Sequence, residues 1–152
     1  MEDIIQVNSG AKRISIKNEV GDEVGVFYFN PTDVGIVDRF KDVGDKLDKA
    51  LTPLERITEE MSEDEQSECF KEAKENLYEV CDYVFGGNMS GAFFGSVDPY
   101  SPVHGHFYFE NALNAVSEYV GKQFGKETKK VNERVEKYTH GYRTGKHKGG
   151  RK

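Results

Sequence analysis

The chain has no tryptophan, two cysteines, three methionines and four prolines in 152 residues. Two cysteines cannot build the disulfide framework of a small secreted domain. No run of about 18 apolar residues occurs, which excludes a membrane-spanning helix of the usual kind. The opening MEDIIQ begins with acid and lacks the basic-then-apolar order of a secretory signal. A reducing cytoplasm is therefore the expected compartment. Hydrophobic residues make up only 36% of the chain and charged residues 32%, so the core is expected to be lean. It must lean on rings, because ten Phe and eight Tyr are present. Collagen-like and mucin-like compositions are excluded as well.

Chemical motifs are equally scarce. There is no HExxH, no CxxC and no Cys/His quartet. The glycine-rich stretches lack GxxxxGK[ST], and no GxGxxG follows a strand pattern. No Ser, Cys or Thr sits in a nucleophile elbow. The four histidines are His104, His106, His140 and His147. His104-Gly105-His106 alternates as a strand does and could turn two imidazoles to one side. A metal site needs three or four convergent ligands, so no metal and no cofactor are expected. No catalytic residue is assigned, and the chain is not expected to be an enzyme.

What is present is a division of charge. The net charge is −6. From Lys122 to Lys152 there are eleven Lys/Arg against three Glu, a charge of +8, while residues 1–121 carry −14 from ten basic and twenty-four acidic residues. Opposite poles of this kind attract one another between copies or engage an oppositely charged partner. An acidic body argues against nucleic acid as a partner, and the short basic end alone would give weak, non-specific attraction.

Residues 4–29 read as a β unit. Ile14 and Ile16 alternate with polar residues. A turn follows at Asn18-Glu19-Val20-Gly21-Asp22, then Val24, Val26 and Tyr28 alternate with Gly25, Phe27 and Phe29. Such a hairpin must pack on helices, gain a third strand from Ile4–Val7, or pair with another chain. Asn30-Pro31-Thr32-Asp33 signals a helix start, predicting a helix over about 32–51 that Pro53 ends or bends. Ser62 and Glu65 form a capping box. The stripe Phe70, Ala73, Leu77, Val80, Cys81, Val84 then predicts a helix over about 62–85, stopped by Gly86 and Gly87. Its outer face is acidic, with ten acids from Glu59 to Asp82 against Lys71 and Lys74. The acids are too evenly spread to mark a catalytic pair, and a solvated face is expected. Cys69 and Cys81, about 18 Å apart on such a helix, cannot bridge and should be small buried hydrophobes.

Residues 86–104 read as a long loop containing Phe93, Phe94 and Tyr100. These either pin the loop to the core or form a binding tip. A further helical pattern runs from Gly105 to Tyr138, bent near Gly121 and Gly125 or split in two. Thr139–Lys152, with five Lys/Arg and no acid, should be a flexible basic tail. The expected architecture is α+β, an N-terminal hairpin packed on three or four helices. One acidic domain spans 1–138, with the disordered basic C-terminal tail at 139–152. The expected core comprises Ile14, Ile16, Val26, Tyr28, Val37, Phe40, Leu47, Phe70, Leu77, Val80, Cys81, Val84, Leu113, Val116 and Val120. The candidate partner-binding residues are Phe93, Phe94 and Tyr100 in the loop and Arg143, Lys146, Lys148, Arg151 and Lys152 in the tail.

One stretch carries a resemblance. The run Tyr78-Glu79-Val80-Cys81-Asp82-Tyr83-Val84-Phe85-Gly86-Gly87-Asn88, followed by Phe93-Phe94-Gly95, resembles a pattern in small proteins of phage and prophage tail-gene clusters. There an acidic helix ends in a D-x-V/I-F-G turn, F-G follows, then a helix and a basic tail. The ending Val135-Glu136-Lys137-Tyr138 is similar, as is the opening hairpin running into Phe29-Asn30-Pro31-Thr32-Asp33 with Arg39-Phe40 beyond. These proteins are described as tail assembly chaperones or tail-module proteins. The resemblance implies a non-enzymatic partner of a tape-measure or tail-tube protein. An acidic, mainly helical protein could shield such an apolar partner in a groove while its charges keep the complex soluble. Two alternatives stay open. One is a phage-encoded inhibitor of a host defence nuclease that imitates a nucleic-acid backbone. The other is a ring-forming tail component that extends a sheet through its hairpin, which would make the chain a homo-oligomer.

Overall fold

The computed structural model describes the backbone of residues 1–146 and side-chain burial through residue 133. Asn18 closes the first turn. Its Oδ1 accepts from the Val20 and Asp22 N–H groups, and its own N–H donates to the Asp22 carbonyl. Gly21 takes φ +89° there, which a residue with a Cβ adopts only at a cost. The turn joins β1 (Lys12–Lys17) to β2 (Glu23–Phe29) in an antiparallel hairpin. Ile14 lies opposite Phe27, Ile16 opposite Gly25, and the ladder is irregular between Ile16 and Lys17. Ile4–Val7 does not supply a third strand. Residues 1–11 carry no secondary structure, and the sheet has two strands.

β2 buries the face opposite to the expected one. Phe27 and Phe29 are in the core, Val26 is half-buried, and Tyr28 is 51% exposed. Both faces of this strand are apolar, so alternation alone could not choose between them. Two phenyl rings bury more apolar area than a valine and a tyrosine whose hydroxyl stays wet. Gly25, on the ring-bearing face, also admits a neighbouring backbone: a Cβ there would collide with the Ala92 carbonyl.

The single helix expected over 32–51 is two pieces, α1 (Val34–Phe40) and α2 (Val43–Ala50), and a further short helix, α3 (Thr52–Glu55), follows them. Asp33 caps α1 by accepting from the Gly35 N–H at 2.9 Å. The break falls at Lys41–Asp42, and Pro53 starts α3 rather than ending a helix. Ile36 is buried, whereas Val37, expected in the core, is 53% exposed. Arg39 explains the rotation. Its Nε donates to the Val84 carbonyl at 2.9 Å, which turns inward the face carrying Ile36, Arg39 and Phe40 and leaves Val37 outside.

α4 (Glu63–Phe85) is capped as its sequence predicts. Ser62 Oγ accepts from the Glu65 N–H, and Glu65 Oε1 accepts from the Ser62 N–H. Gly86 ends the helix at φ +67°. Its buried line is Cys69, Ala73, Leu77, Cys81, Val84 and Phe85. Phe70 is 43% exposed and Val80 half-buried, so the expected stripe was rotated by part of a turn. The small Cys69, Ala73 and Cys81 let other elements approach closely, and Phe70 meets the Tyr100 ring from the rim at 6.3 Å.

The expected loop at 86–104 is largely structured. It contains α5 (Met89–Phe94) and β3 (Pro102–Val103), which pairs with β4 (His106–Phe107). His104 and Gly105 take φ +54° and +81° in the tight turn between them, the geometry favoured in two-residue hairpins. α6 (Tyr108–Lys146) is one helix in which neither Gly121 nor Gly125 makes a break. Glu110 Oε2 accepts from the Phe107 N–H at its start. α6 contributes Phe109, Ala112, Leu113, Val116 and Val120 to the core, and residues 125–133 are all exposed. The helix takes in residues 139–146 of the segment expected as a flexible tail, and 147–152 lie outside the described residues. Ile14, Ile16, Phe40 and Leu47 pack half-buried around this core. Among the described residues, no helix is long and apolar enough to cross a membrane.

Candidate functional site

The three loop aromatics are core residues. Phe93, Phe94 and Tyr100 are all buried, so they form no binding tip. Phe93 meets the Phe27 ring edge-on, and Phe94 stacks on Tyr78. Tyr100 donates its hydroxyl to the Ala73 carbonyl at 3.1 Å, and burial pushes its ionisation above the ordinary tyrosine range. Asp98 anchors the same turn, accepting from the Tyr100 N–H and pairing with Lys74 at 3.1 Å. Burial pushes the Asp98 carboxyl up, but the Tyr100 N–H and the Lys74 ammonium outweigh it and hold it low. Of the basic group, Arg143 and Lys146 lie on α6 beyond the described side chains. Lys148, Arg151 and Lys152 lie outside the described residues.

Two apolar grooves flank α6. The first runs between α1 and α6, with a volume of about 430 Å³, and Ile36, Phe40, Phe85, Val120 and Phe124 form its walls. Ser117 and Gly121 lie one helical turn apart in it. A Cβ on Gly121 would meet nothing within 4 Å, so the groove is open above this glycine. Val37 on its margin is 53% exposed and Val34 on the same short helix 74%. Small residues one turn apart let a second helix approach closely. The spacing Ser117-x3-Gly121 was visible in the sequence but reads equally as a bend.

The second groove lies between β1 and α6. Ile14 and Ile16 form one wall, Ala115 and Tyr119 the other, and Phe27 and Phe93 lie between them, enclosing about 240 Å³. A larger cleft of about 700 Å³ adjoins it toward Val24, Val103 and Tyr108.

Among the described residues, reactive side chains do not converge: no three His, Cys, Asp or Glu side chains are placed to hold a metal ion. His104 lies in the tight turn, so the strand-like alternation expected for it and His106 does not occur. Burial, and then the neighbouring Asp82 charge, push the Cys81 thiol up to about 12, which makes it a poor nucleophile. The outer side of α4 presents Asp64, Glu68, Glu75 and Glu79 to solvent, while Glu72 is paired with Arg56 at 2.9 Å. The chain matches no protein-family model, no curated protein and no solved structure.

Proposed function

We propose that the protein is a docking protein without catalytic activity, of the tail assembly chaperone kind its sequence resembles. In this reading it works in the host cytoplasm. It shields an apolar helix of a tape-measure or tail-tube partner in the groove between α1 and α6. The observation that carries the reading is that groove: ring-walled, open above Gly121, and bordered by exposed Val34 and Val37. A helix laid there covers apolar surface, while the acidic α4 keeps the complex soluble. Gly121→Leu tests it. The substitution fills the groove and favours the helix, so the variant should fold. Wild-type protein should retain a co-expressed tape-measure protein through affinity purification, and Gly121→Leu should lose it at an unchanged melting temperature. Equal retention by both proteins would refute the groove, and retention by neither would refute the partner.

A second reading is favoured by the exposed acids of α4. Asp64, Glu68, Glu75 and Glu79 lie four, seven and four residues apart, on one side of the helix, and form no ion pair among the described residues. A line of charge like this fits an inhibitor that occupies the basic channel of a defence nuclease. Its binding would weaken steeply as salt rises, whereas burial in the apolar groove would not.

A further inference from the structure

Among the described residues the outer edge of β1 has no strand partner, and the hydrogen bonds of the hairpin show which groups lie along it. On the far side of β2, Asn88 acts as a short strand. Its Oδ1 accepts from the Tyr28 N–H at 2.7 Å, and its Nδ2 donates to the Val26 carbonyl at 3.0 Å. In an antiparallel ladder the N–H and C=O of one residue point to the same side. Val26 and Tyr28 therefore point away from β1, and Phe27 and Phe29 point toward it, opposite Ile14 and Lys12. It follows that Arg13 and Ser15 direct their backbone N–H and C=O groups outward, away from β2. This edge opens on the groove between β1 and α6. A bare strand edge beside an apolar groove is a template for another strand.

The chain carries a segment that fits. Ile4, Ile5 and Val7 are 83%, 95% and 78% exposed, and residues 1–11 form no secondary structure. As a strand, Ile4-Ile5-Gln6-Val7 would turn Ile5 and Val7 to one face and Ile4 and Gln6 to the other. Glu2 and Asp3 precede it, and β1 carries Lys12, Arg13 and Lys17. In either strand direction an acid falls beside a base. The segment cannot readily return to its own β1. Asn30, just past the end of β2, donates from Nδ2 to the Ser9 carbonyl at 2.6 Å, and its Oδ1 crowds the position of a Cβ on Gly10, which takes φ +92°. The chain is thus held on the β2 side, opposite to the free edge.

We propose that Ile4–Val7 of one copy adds as a third strand to the β1 edge of a second copy, with Ile5 and Val7 seated in the groove between β1 and α6. The contact is heterologous: each copy has one donor segment and one acceptor edge. Repetition makes a ring if the rotation closes and a filament if it does not. A strand this short buries little area, so association is weak and rises with concentration. The proposal uses a different groove from the one assigned above to a partner helix and stands independently of that assignment.

Mass measurement on the full chain tests it. Across a wide dilution series the average mass should climb above the 17.2 kDa of one chain. The donor variant Ile5→Asp/Val7→Asp and the acceptor variant Ala115→Phe, which fills the groove from an exposed position, should each stay monomeric alone. Mixed, they should form a one-to-one pair and nothing larger, since one intact donor and one intact acceptor remain. Gly121→Leu should associate like the wild type. Amide exchange at Arg13 and Ser15 provides a readout that does not rely on the groove variant. Both amides should be protected at high concentration in the wild type and unprotected in the donor variant. A monomer at every concentration would overturn the proposal, as would unchanged association of the donor variant. Protection of the two amides in dilute monomer would also overturn it, because the segment would then be folding back on its own chain.

Discussion

Gly25 and Gly44 make opposite predictions for the same substitution. Gly25 faces the Ala92 backbone, so a methyl group there has nowhere to go, whereas Gly44 lies on the exposed side of α2 with no atom near its missing Cβ. Gly25→Ala should cost roughly 1–3 kcal/mol by overpacking. Gly44→Ala should gain about 0.5–1 kcal/mol from helix propensity. Urea unfolding of the two variants measures both, and a Gly25→Ala protein as stable as wild type would refute the close approach. Asp33 gives a pH prediction. The Gly35 N–H it accepts from, and then the Arg39 guanidinium, hold its carboxyl below the usual aspartate value. A carboxyl depressed on folding stabilises the fold above its unfolded pKa, and that contribution fades as pH falls through the folded value. Wild type should therefore lose stability below about pH 4 relative to Asp33→Asn, and the gap between the two should close as acid is added. Glycine in the middle of a strand is a general mark of a bulge or a close backbone approach, but the alternation around Gly25 was read only as a strand. What the glycine approaches is a residue 67 positions along the chain, which no local pattern reveals.

At the level of elements, the signals that held are capping and turn signals whose hydrogen bonds are local. The turn at Asn18, the start at Asp33, the capping box at Ser62 and the stop at Gly86 each join groups within four residues of one another. They are legible for that reason. Ser62→Ala should cost about 1 kcal/mol, seen as a lower urea midpoint at unchanged slope. Asn88→Ala should cost a similar amount, roughly 1–2 kcal/mol, by leaving the Tyr28 N–H and Val26 carbonyl without their partner. It should also raise amide exchange at Tyr28 specifically, which a general loss of stability would not do. The bridge from Asn88 to β2 was not legible, because its partners lie 60 and 62 residues away. The same reason hid the rotation of α1, which Arg39 fixes from a carbonyl 45 residues distant.

For the whole molecule, one core joins the hairpin to α4, α5 and α6; Cys81 lies inside it, and Cys69 is buried farther up α4, outside that cluster. Cys69 is 7% exposed and Cys81 is fully buried. A thiol reagent should label neither in the native protein, and labelling should follow the opening of the core as urea is added. Rapid labelling of one thiol in native buffer would show that α4 opens on its own. The candidate site divides in the same way as the fold. The acidic face of α4 was readable residue by residue, since charge needs no partner to be seen. The two grooves were not, because each is a gap between elements that are far apart in the chain.

By itself the sequence determined the two-stranded hairpin, the long capped helix, the acidic body with its basic end and the lean, ring-rich core. All of these follow from backbone geometry, capping and charge that act over a few residues. Only the tertiary structure decided that Phe27 rather than Tyr28 turns inward, that Phe93, Phe94 and Tyr100 are core, and that β1 keeps a free edge beside α6. A strand apolar on both faces has two foldings of nearly equal local energy, and the choice falls to whatever distant surface packs against it.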